Sequence, residues 1–329
     1  MNKRFLFVLF LVFSAVTVVF AKKPPTLPNS YDSTGLSARS IAMGYTGAAM
    51  PNSLEGVYYN SASLGFNKSD KIQMEATAFI IRNTDVDSNI MSYSDPIDLG
   101  FTSFVVNQKQ GAISWRTFSS NDIEEKNGSD FYKKSEHIKA ITLSVANLNE
   151  QGVSFGLNLS YLYGTLSESS VIDGNPFAQT SSGNGFTMDI GIMGPVKGNL
   201  YFGINFENVL GIMWWENYDF DQLPFGIRAG AGYIMGSTNI IVDWHKIFYR
   251  FGDIENDNFY SIGVEQSLGN VFVLRAGAQG TSVTETDNIK YTYGAGVNVS
   301  VISVSIAGET YKIKEETVSQ YSVSVKVSI

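Results

Sequence analysis

The chain ends Tyr321-Ser322-Val323-Ser324-Val325-Lys326-Val327-Ser328-Ile329. Side chains of a strand alternate between its two faces. Tyr321, Val323, Val325, Val327 and Ile329 therefore share one face, and Ser322, Ser324, Lys326 and Ser328 the other. The same alternation recurs upstream. Val153, Phe155, Leu157, Leu159, Tyr161 and Tyr163 oppose Ser154, Gly156, Asn158 and Ser160. Phe186, Met188, Ile190 and Ile192 oppose Thr187, Asp189 and Gly191, while Phe202, Ile204 and Phe206 oppose Gly203, Asn205 and Glu207. One face is apolar and partly aromatic, the other small or polar. A soluble β-sandwich shows this pattern too, with its apolar face turned inward.

Connection lengths separate the two folds. The pattern predicts strands over 71–82, 99–108, 111–120, 137–148, 152–169, 185–195, 199–210, 224–235, 238–248, 258–268, 271–281, 288–299, 301–311 and 318–329. Long connections then fall at 83–98, 121–136, 170–184, 211–223, 249–257, 282–287 and 312–317. Between them lie tight turns at Lys109-Gln110, Asn149-Glu150-Gln151, Lys197-Gly198, Gly236-Ser237, Gly269-Asn270 and Ser300. Short turns on one side and long loops on the other mark outer-membrane barrels. Greek-key connections have no reason to alternate so. Hydrocarbon offers no hydrogen-bond partner, so a spanning sheet must close on itself. The expected fold is all-β, a transmembrane antiparallel β-barrel of about 14 strands with both termini on the short-turn, periplasmic side. Outer-membrane lipid is then its solvent. Trp115, Tyr161, Tyr163, Tyr233, Trp244 and Tyr293 are candidates for interfacial girdles.

The first residues read differently. Asn2-Lys3-Arg4 precedes an apolar run from Phe5 to Phe20, and Val19-Phe20-Ala21 offers small residues for cleavage. The run is short of the roughly 20 apolar residues of a spanning helix, so residues 1–21 are expected to be a secretory signal peptide. Among the 329 residues there is no cysteine, and the formal charge is −8. That charge argues against a nucleic-acid partner, which needs a basic surface.

Enzymatic chemistry finds little support. Asp243-Trp244-His245 places an acid and a base on one strand face, but His137 and His245 are the only histidines and spacing singles out no serine nucleophile. Metal-ligand spacing is absent, with no cysteine and no His-x-x-x-His. Asp85, Asp87, Glu124 and Glu125 read as solvated loop residues. The expectation is a non-enzyme without cofactor or metal.

Residues 35–66 do not read as a strand. Gly35-Leu36-Ser37-Ala38-Arg39-Ser40-Ile41-Ala42-Met43-Gly44-Tyr45-Thr46-Gly47-Ala48-Ala49 is followed by Gly56-Val57-Tyr58-Tyr59-Asn60-Ser61-Ala62-Ser63-Leu64-Gly65. This resembles the N-terminal segment of the PorV/PorQ family and of the long-chain fatty acid transporter (FadL-like) barrels. Their pattern is Ala-Arg-x-x-Ala-Met-Gly-Gly-Ala, a spacer, then Tyr-x-Asn-Pro-Ala-x-Leu. Tyr45 stands where that pattern has its second Gly, and Ser61 where it has Pro. Later stretches are similar to the family's strands, among them Phe186-Thr187-Met188-Asp189-Ile190-Gly191, Leu223-Pro224-Phe225-Gly226-Ile227-Arg228-Ala229-Gly230 and Leu274-Arg275-Ala276-Gly277. The resemblance implies an N-terminal plug over residues 22–70, entered from the periplasm, and a fourteen-stranded barrel over 71–329. Arg39, Met43, Gly44, Tyr58 and Asn60 would be the plug-motif residues.

Two further features carry candidate function. If apolar stripes face lipid, Arg228, Asp243, Glu265 and Arg275 face the lumen on successive strands, as a charge ladder that ties the wall or holds the plug. Met213, Trp214 and Trp215 sit in a predicted loop, where they could capture a hydrophobic ligand, enter the outer leaflet or cap the lumen. The resemblance implies passive uptake of small hydrophobic molecules, in which ligand binds outside and the plug shifts. The alternative it implies is a PorV-like scaffold that partners a protein secretion system.

Overall fold

The computed structural model describes residues 37–84, 101–127, 130–172, 174–218, 220–249, 256–281, 289–313 and 316–329. The expected signal peptide, residues 22–36, most of connection 83–98 with Asp85 and Asp87, and residues 282–287 lie outside the described residues.

The strands are β1 (Ile72–Thr84), β2 (Phe101–Gln108), β3 (Gly111–Asn127), β4 (Asp130–Leu148), β5 (Ser154–Ile172), β6 (Asn175–Lys197), β7 (Leu200–Trp215), the two-residue β8 (Asp221–Gln222), β9 (Phe225–Met235), β10 (Thr238–Phe248), β11 (Asp257–Leu268), β12 (Phe272–Gly280), β13 (Lys290–Val299), β14 (Ile302–Ile313) and β15 (Glu316–Ser328). Neighbours pair antiparallel all the way round, and β1 pairs with β15, with Gln73 opposite Ser328. The sheet is thus a closed barrel of fourteen long strands plus β8, and closure leaves no edge among them. The expected barrel and strand count are what the chain adopts.

Burial decides the orientation of the faces. Leu143 is 51% exposed while its neighbour Ser144 is fully buried, and Phe155 and Leu159 are exposed while Asn158 is buried. The apolar stripes face outward and the polar ones inward, the inverse of a soluble sandwich. The outward aromatics pack along the wall. Trp115 Nε1 donates to the Tyr163 hydroxyl at 2.9 Å, Tyr161 stacks on Tyr163, and Trp244 Nε1 donates to Asn258. Ile72 and Ile329 exchange backbone hydrogen bonds, so the first strand begins beside the last residue at the tight-turn end of the barrel. Lys109 and Ser300 accept a left-handed backbone at two of these turns, a conformation that matches the twist of the flanking strands.

Three predicted loops are strand instead. β3 runs to Asn127 and β4 starts at Asp130, where 121–136 was expected to be loop. β5 and β6 pair up to Ile172 opposite Asn175, where 170–184 was expected to be loop. β5 has 19 residues and β6 has 23, against the roughly 9–11 that span a bilayer. These hairpins therefore rise well beyond the apolar band. Water bathes them there, so no hydrophobic alternation is required and the period-2 signal vanishes although the ladder continues. β7 likewise runs to Trp215, so Met213, Trp214 and Trp215 are strand residues, paired with Gly185, Asn184 and Gly183.

Residues 37–67 occupy the inside of the barrel. Ser37 caps a short helix, Ala38–Ala42, in a reciprocal capping box with Ser40. A second turn, Gly56–Tyr59, leads into a 3₁₀ helix, Ser61–Phe66, capped by Asn60. The segment touches inward positions on opposite sides of the closed sheet, which only an enclosed chain can do. Wall glycines make this possible. A Cβ at Gly203 would lie 1.8 Å from the Ala48 carbonyl oxygen, at Gly156 2.2 Å from Ala62 N, and at Gly263 2.2 Å from the Met43 oxygen.

Gly203→Ala is expected to lower barrel stability by about 1–3 kcal/mol, the range for overpacking a filled interior. Gly111→Ala, whose nearest neighbours would lie 3.9 Å away, is expected to leave it unchanged. Thermal unfolding in detergent compares the two.

Candidate functional site

The lumen contains two distinct regions. The first is built where the enclosed segment meets the wall. Arg39 leaves the short helix and forks onto Glu265, with Nε to Oε2 and Nη2 to Oε1 both at 2.8 Å. Arg275 Nε reaches the same Oε2 at 2.7 Å, and Asn239 Nδ2 donates to Oε1 at 2.8 Å. One wall carboxylate thus serves a segment arginine and a wall arginine together. Arg39 also reaches Glu55 at 3.2 Å. Burial pushes the Glu55 carboxyl up, but Arg39 and the Ser53 hydroxyl outweigh it and hold the group below the ordinary carboxylate range.

Wall side chains also satisfy the segment's backbone. Asp243 accepts from the amides of Gly47 and Ala48 at 2.8 and 2.9 Å. Ser324 accepts from Ala38 N at 2.7 Å, and Thr292 from Gly44 N at 3.0 Å. Asn158 donates to the Val57 carbonyl at 2.9 Å. From the segment side, Asn60 donates to Ile192 O on β6 and to Ala48 O. Gly44 and Tyr45 both take left-handed backbone, at φ 66 and 64. Tyr45 therefore adopts a conformation that favours the glycine of the family pattern. Its buried hydroxyl hydrogen-bonds Glu309, and Lys290 lies 4.8 Å from its ring, contacts that offset the strain.

The expected plug-motif residues divide accordingly. Arg39, Gly44 and Asn60 bond to the wall; Met43 packs with Met50 and Ile241; the Tyr58 ring faces the Arg116 guanidinium at 5.6 Å. The four proposed ladder residues all point into the lumen, but they do not form one ladder. Arg228 Nε pairs with Glu207 at 3.1 Å, its Nη2 lies 3.0 Å from His245 Nδ1, and His245 Nε2 lies 2.9 Å from Glu207. Asp243 lies opposite Ser261 on β11, whereas Glu265 lies opposite Asn239. That offset of four residues is about 13 Å along a strand, too far for a direct pair. The ladder resolves into an Arg228–Glu207–His245 triad, an Arg39–Glu265–Arg275 clamp, and Asp243 on the segment backbone. Alternation had marked Glu207 as inward-facing, but nothing in the sequence signalled that it pairs with Arg228.

The second region lies beyond the segment, toward the long-connection end. Phe118, Ile138, Leu162, Leu166 and Leu223 form a buried apolar cluster inside the barrel. Met213 and Trp215 point into it from the end of β7, fully buried and 5% exposed. Gly183 and Gly185 on the adjoining β6 leave room for these two side chains. Trp214 faces outward, 49% exposed, with its ring 5.8 Å from Phe186. The three residues proposed as one capture loop therefore divide between lumen and outer surface, because strand alternation separates Trp214 from its neighbours. Between the apolar cluster and the segment is a cavity of about 40 Å³. It is lined by Tyr58, Arg116, Asp189, Glu207 and Arg228, with Phe118 at its border.

Solved structures share this architecture. The chain is similar to the Ralstonia pickettii toluene transporter TbuX, with a TM-score of 0.65 at 14% identity over 89% of this chain and 98% of that one. It is similar to the CymD monoaromatic hydrocarbon channel, with a TM-score of 0.62 at 13% identity over 90% and 98%. A Pseudomonas aeruginosa FadL homologue gives 0.59 at 9% identity over 89% and 98%. At such identities the likeness is one of fold. No sequence family and no protein of curated function matches the chain.

Glu265→Gln would leave Arg39 and Arg275 facing each other without their shared anion. Breaking a buried pair costs about 3–5 kcal/mol. The variant is expected to unfold at lower temperature, and Glu265→Gln combined with Arg275→Gln to recover part of the loss.

Proposed function

We propose that the chain is an outer-membrane channel for passive uptake of small hydrophobic molecules, with both termini in the periplasm. The observation that carries this reading is the apolar cluster inside the lumen. A water-filled pore lines its interior with polar groups. Here Leu162, Leu166, Met213 and Trp215 turn inward while the same strands present lipid-facing residues outward. A hydrocarbon entering that cluster gains roughly 25 cal/mol for each Å² of apolar surface removed from water. The likeness in fold to toluene and hydrocarbon transporters supports the same reading.

The cluster is filled by the chain's own side chains, so a ligand enters by displacing some of them. Met213 and Trp215 are suited to yield. Methionine is unbranched and adaptable, and both stand at the end of β7, beside the short return through β8. No reaction step is required, and we read the chain as a non-enzyme. His245 is engaged by Glu207 and Arg228 rather than by a serine nucleophile.

One observation favours the second reading, a scaffold for a secretion-system protein as the PorV-like resemblance implies. The β3–β4 and β5–β6 hairpins stand far beyond the apolar band and offer a surface for a partner. Native mass spectrometry of the detergent-purified protein separates the two: bound apolar ligand supports uptake, and a stoichiometric co-purified protein supports the scaffold.

Uptake of labelled toluene by cells carrying the protein tests the leading reading directly. Met213→Ala with Trp215→Ala is expected to change the rate several-fold, whereas Trp214→Ala, on the outer face, is expected to leave it unchanged. Equal rates in all three proteins would overturn the assignment of the cluster as the ligand path.

A further inference from the structure

We infer that Trp215 selects the ligand by hydrogen bonding: the apolar cluster takes a small molecule with one neutral acceptor oxygen, which receives the Trp215 indole N–H. The inference rests on the uptake reading for the route and deepens it by naming the substrate class.

The first support is an unpaired donor. Trp215 is 5% exposed, and its Nε1 has no hydrogen-bond partner among the described residues. A buried indole N–H ordinarily finds one. Trp115 Nε1 donates to Tyr163 and Trp244 Nε1 to Asn258. An orphaned buried donor carries the full cost of its lost hydration. Leucine or phenylalanine would fill apolar space without that cost, so the N–H exceeds what packing needs.

The second support is its place. Ile138, Gly164, Gly183 and Trp215 stand in register across β4, β5, β6 and β7. The two glycines leave a shelf between Ile138 and the indole. The ring lies on this shelf, since a Cβ at Gly183 would be 2.4 Å from its Cε3 and 2.7 Å from its Cζ3. Those atoms belong to the edge of the indole opposite Nε1, so the N–H is left clear of that contact. Phe118, Ile138, Leu162, Leu166 and Met213 share the cluster. A buried water needs about two to four polar partners, and these side chains supply none. Tyr218, packed against the cluster, donates its hydroxyl to Glu168 at 2.6 Å, and Glu136 accepts from Ser119 at 2.9 Å.

The ligand class follows. Met213 Cε meets the same Gly183 position at 2.9 Å, so a molecule that displaces the Met213 side chain lies against the indole. Its acceptor is neutral, because a carboxylate would lose its hydration among Phe118, Leu162 and Leu166. Small ketones, esters and ethers fit. A site with a buried polar group to satisfy rejects the analogue that lacks the matching group more strongly than an apolar pocket discriminates by size.

Acetophenone and ethylbenzene are close in shape and differ in the carbonyl oxygen. Uptake of each is measured above that of cells lacking the protein. The wild type is expected to favour acetophenone by about three- to tenfold, the worth of one net hydrogen bond, and Trp215→Phe to bring the ratio near one. The same ratio in both proteins would overturn the proposal. Indole ¹⁵N–¹H spectra of the purified protein in detergent read the contact without uptake. The Trp215 resonance is assigned by its loss in Trp215→Phe or, should that variant fold poorly, by replacing the other three tryptophans in turn. Acetophenone is expected to move it downfield, ethylbenzene to leave it, and the Trp115 and Trp244 resonances to stay in place. A Trp215 resonance that acetophenone does not move would overturn the proposal. If cells take up neither compound while acetophenone moves the resonance, the uptake reading fails and the donor site stands.

Discussion

A peptide group removed from water must find its hydrogen bond within the protein, and this chain meets that demand twice. In the wall, each strand pairs with two neighbours until β15 returns to β1. In the lumen, residues 37–67 fold too little to satisfy themselves. Their helices are short, of five and four residues, and isolated helices of that length are unstable in water. The wall supplies what they lack, through Ser324 and Thr292 to two amides and Asp243 to two more. Barrel and segment therefore depend on each other, with the segment conformed to the wall as closely as the wall is closed on itself.

This dependence explains which inward residues are charged. A lone charge in a lumen of low dielectric costs several kcal/mol. Glu265 is accompanied by Arg39 and Arg275, and Glu207 by Arg228 and His245. Asp243 has main-chain amides as donors and lies close enough to Arg228 to interact with it. These charges lie beside the segment, where partners exist. Toward the long-connection end, inward positions on β4, β5 and β7 turn to Ile138, Leu162, Leu166 and Met213. Beyond them on β4 the inward positions turn polar again, with Glu136 accepting from Ser119 and Lys134 paired with Glu168.

Legibility in the sequence follows the same physics. Alternation in 321–329 revealed the last strand because hydrocarbon outside and polar lumen inside impose it residue by residue. Tight turns were legible because two-residue connections admit few residues. The hairpin ends of β3–β6 were not, because water on both faces removes the pattern while hydrogen bonds preserve the strand. Met213 and Trp215 were placed in a loop for a different reason: the lumen they enter is apolar, so both faces at the end of β7 are hydrophobic and Met213-Trp214-Trp215 does not alternate. The inward orientation of Arg228, Asp243, Glu265 and Arg275 followed from alternation. Their partners did not. Arg39 and Glu265 are separated by 226 positions, and which inward side chains share a height depends on register around the barrel, to which local pattern is blind.

Tyr45 shows how the two levels meet. Left-handed backbone at a non-glycine residue costs about 1–2 kcal/mol, so Tyr45 is tolerated only because other contacts hold it. Its ring is buried at 3% exposure, its hydroxyl bonds Glu309 on β14, and Lys290 on β13 lies over the ring. A glycine would keep such a turn by backbone freedom; this chain keeps it by docking a side chain on the wall. The anchored residue stands at the turn between Gly44, which touches Thr292, and Gly47, which touches Asp243. It gives the segment a further point of attachment, on β13 and β14, beside the β11 and β12 positions of the Arg39–Glu265–Arg275 clamp.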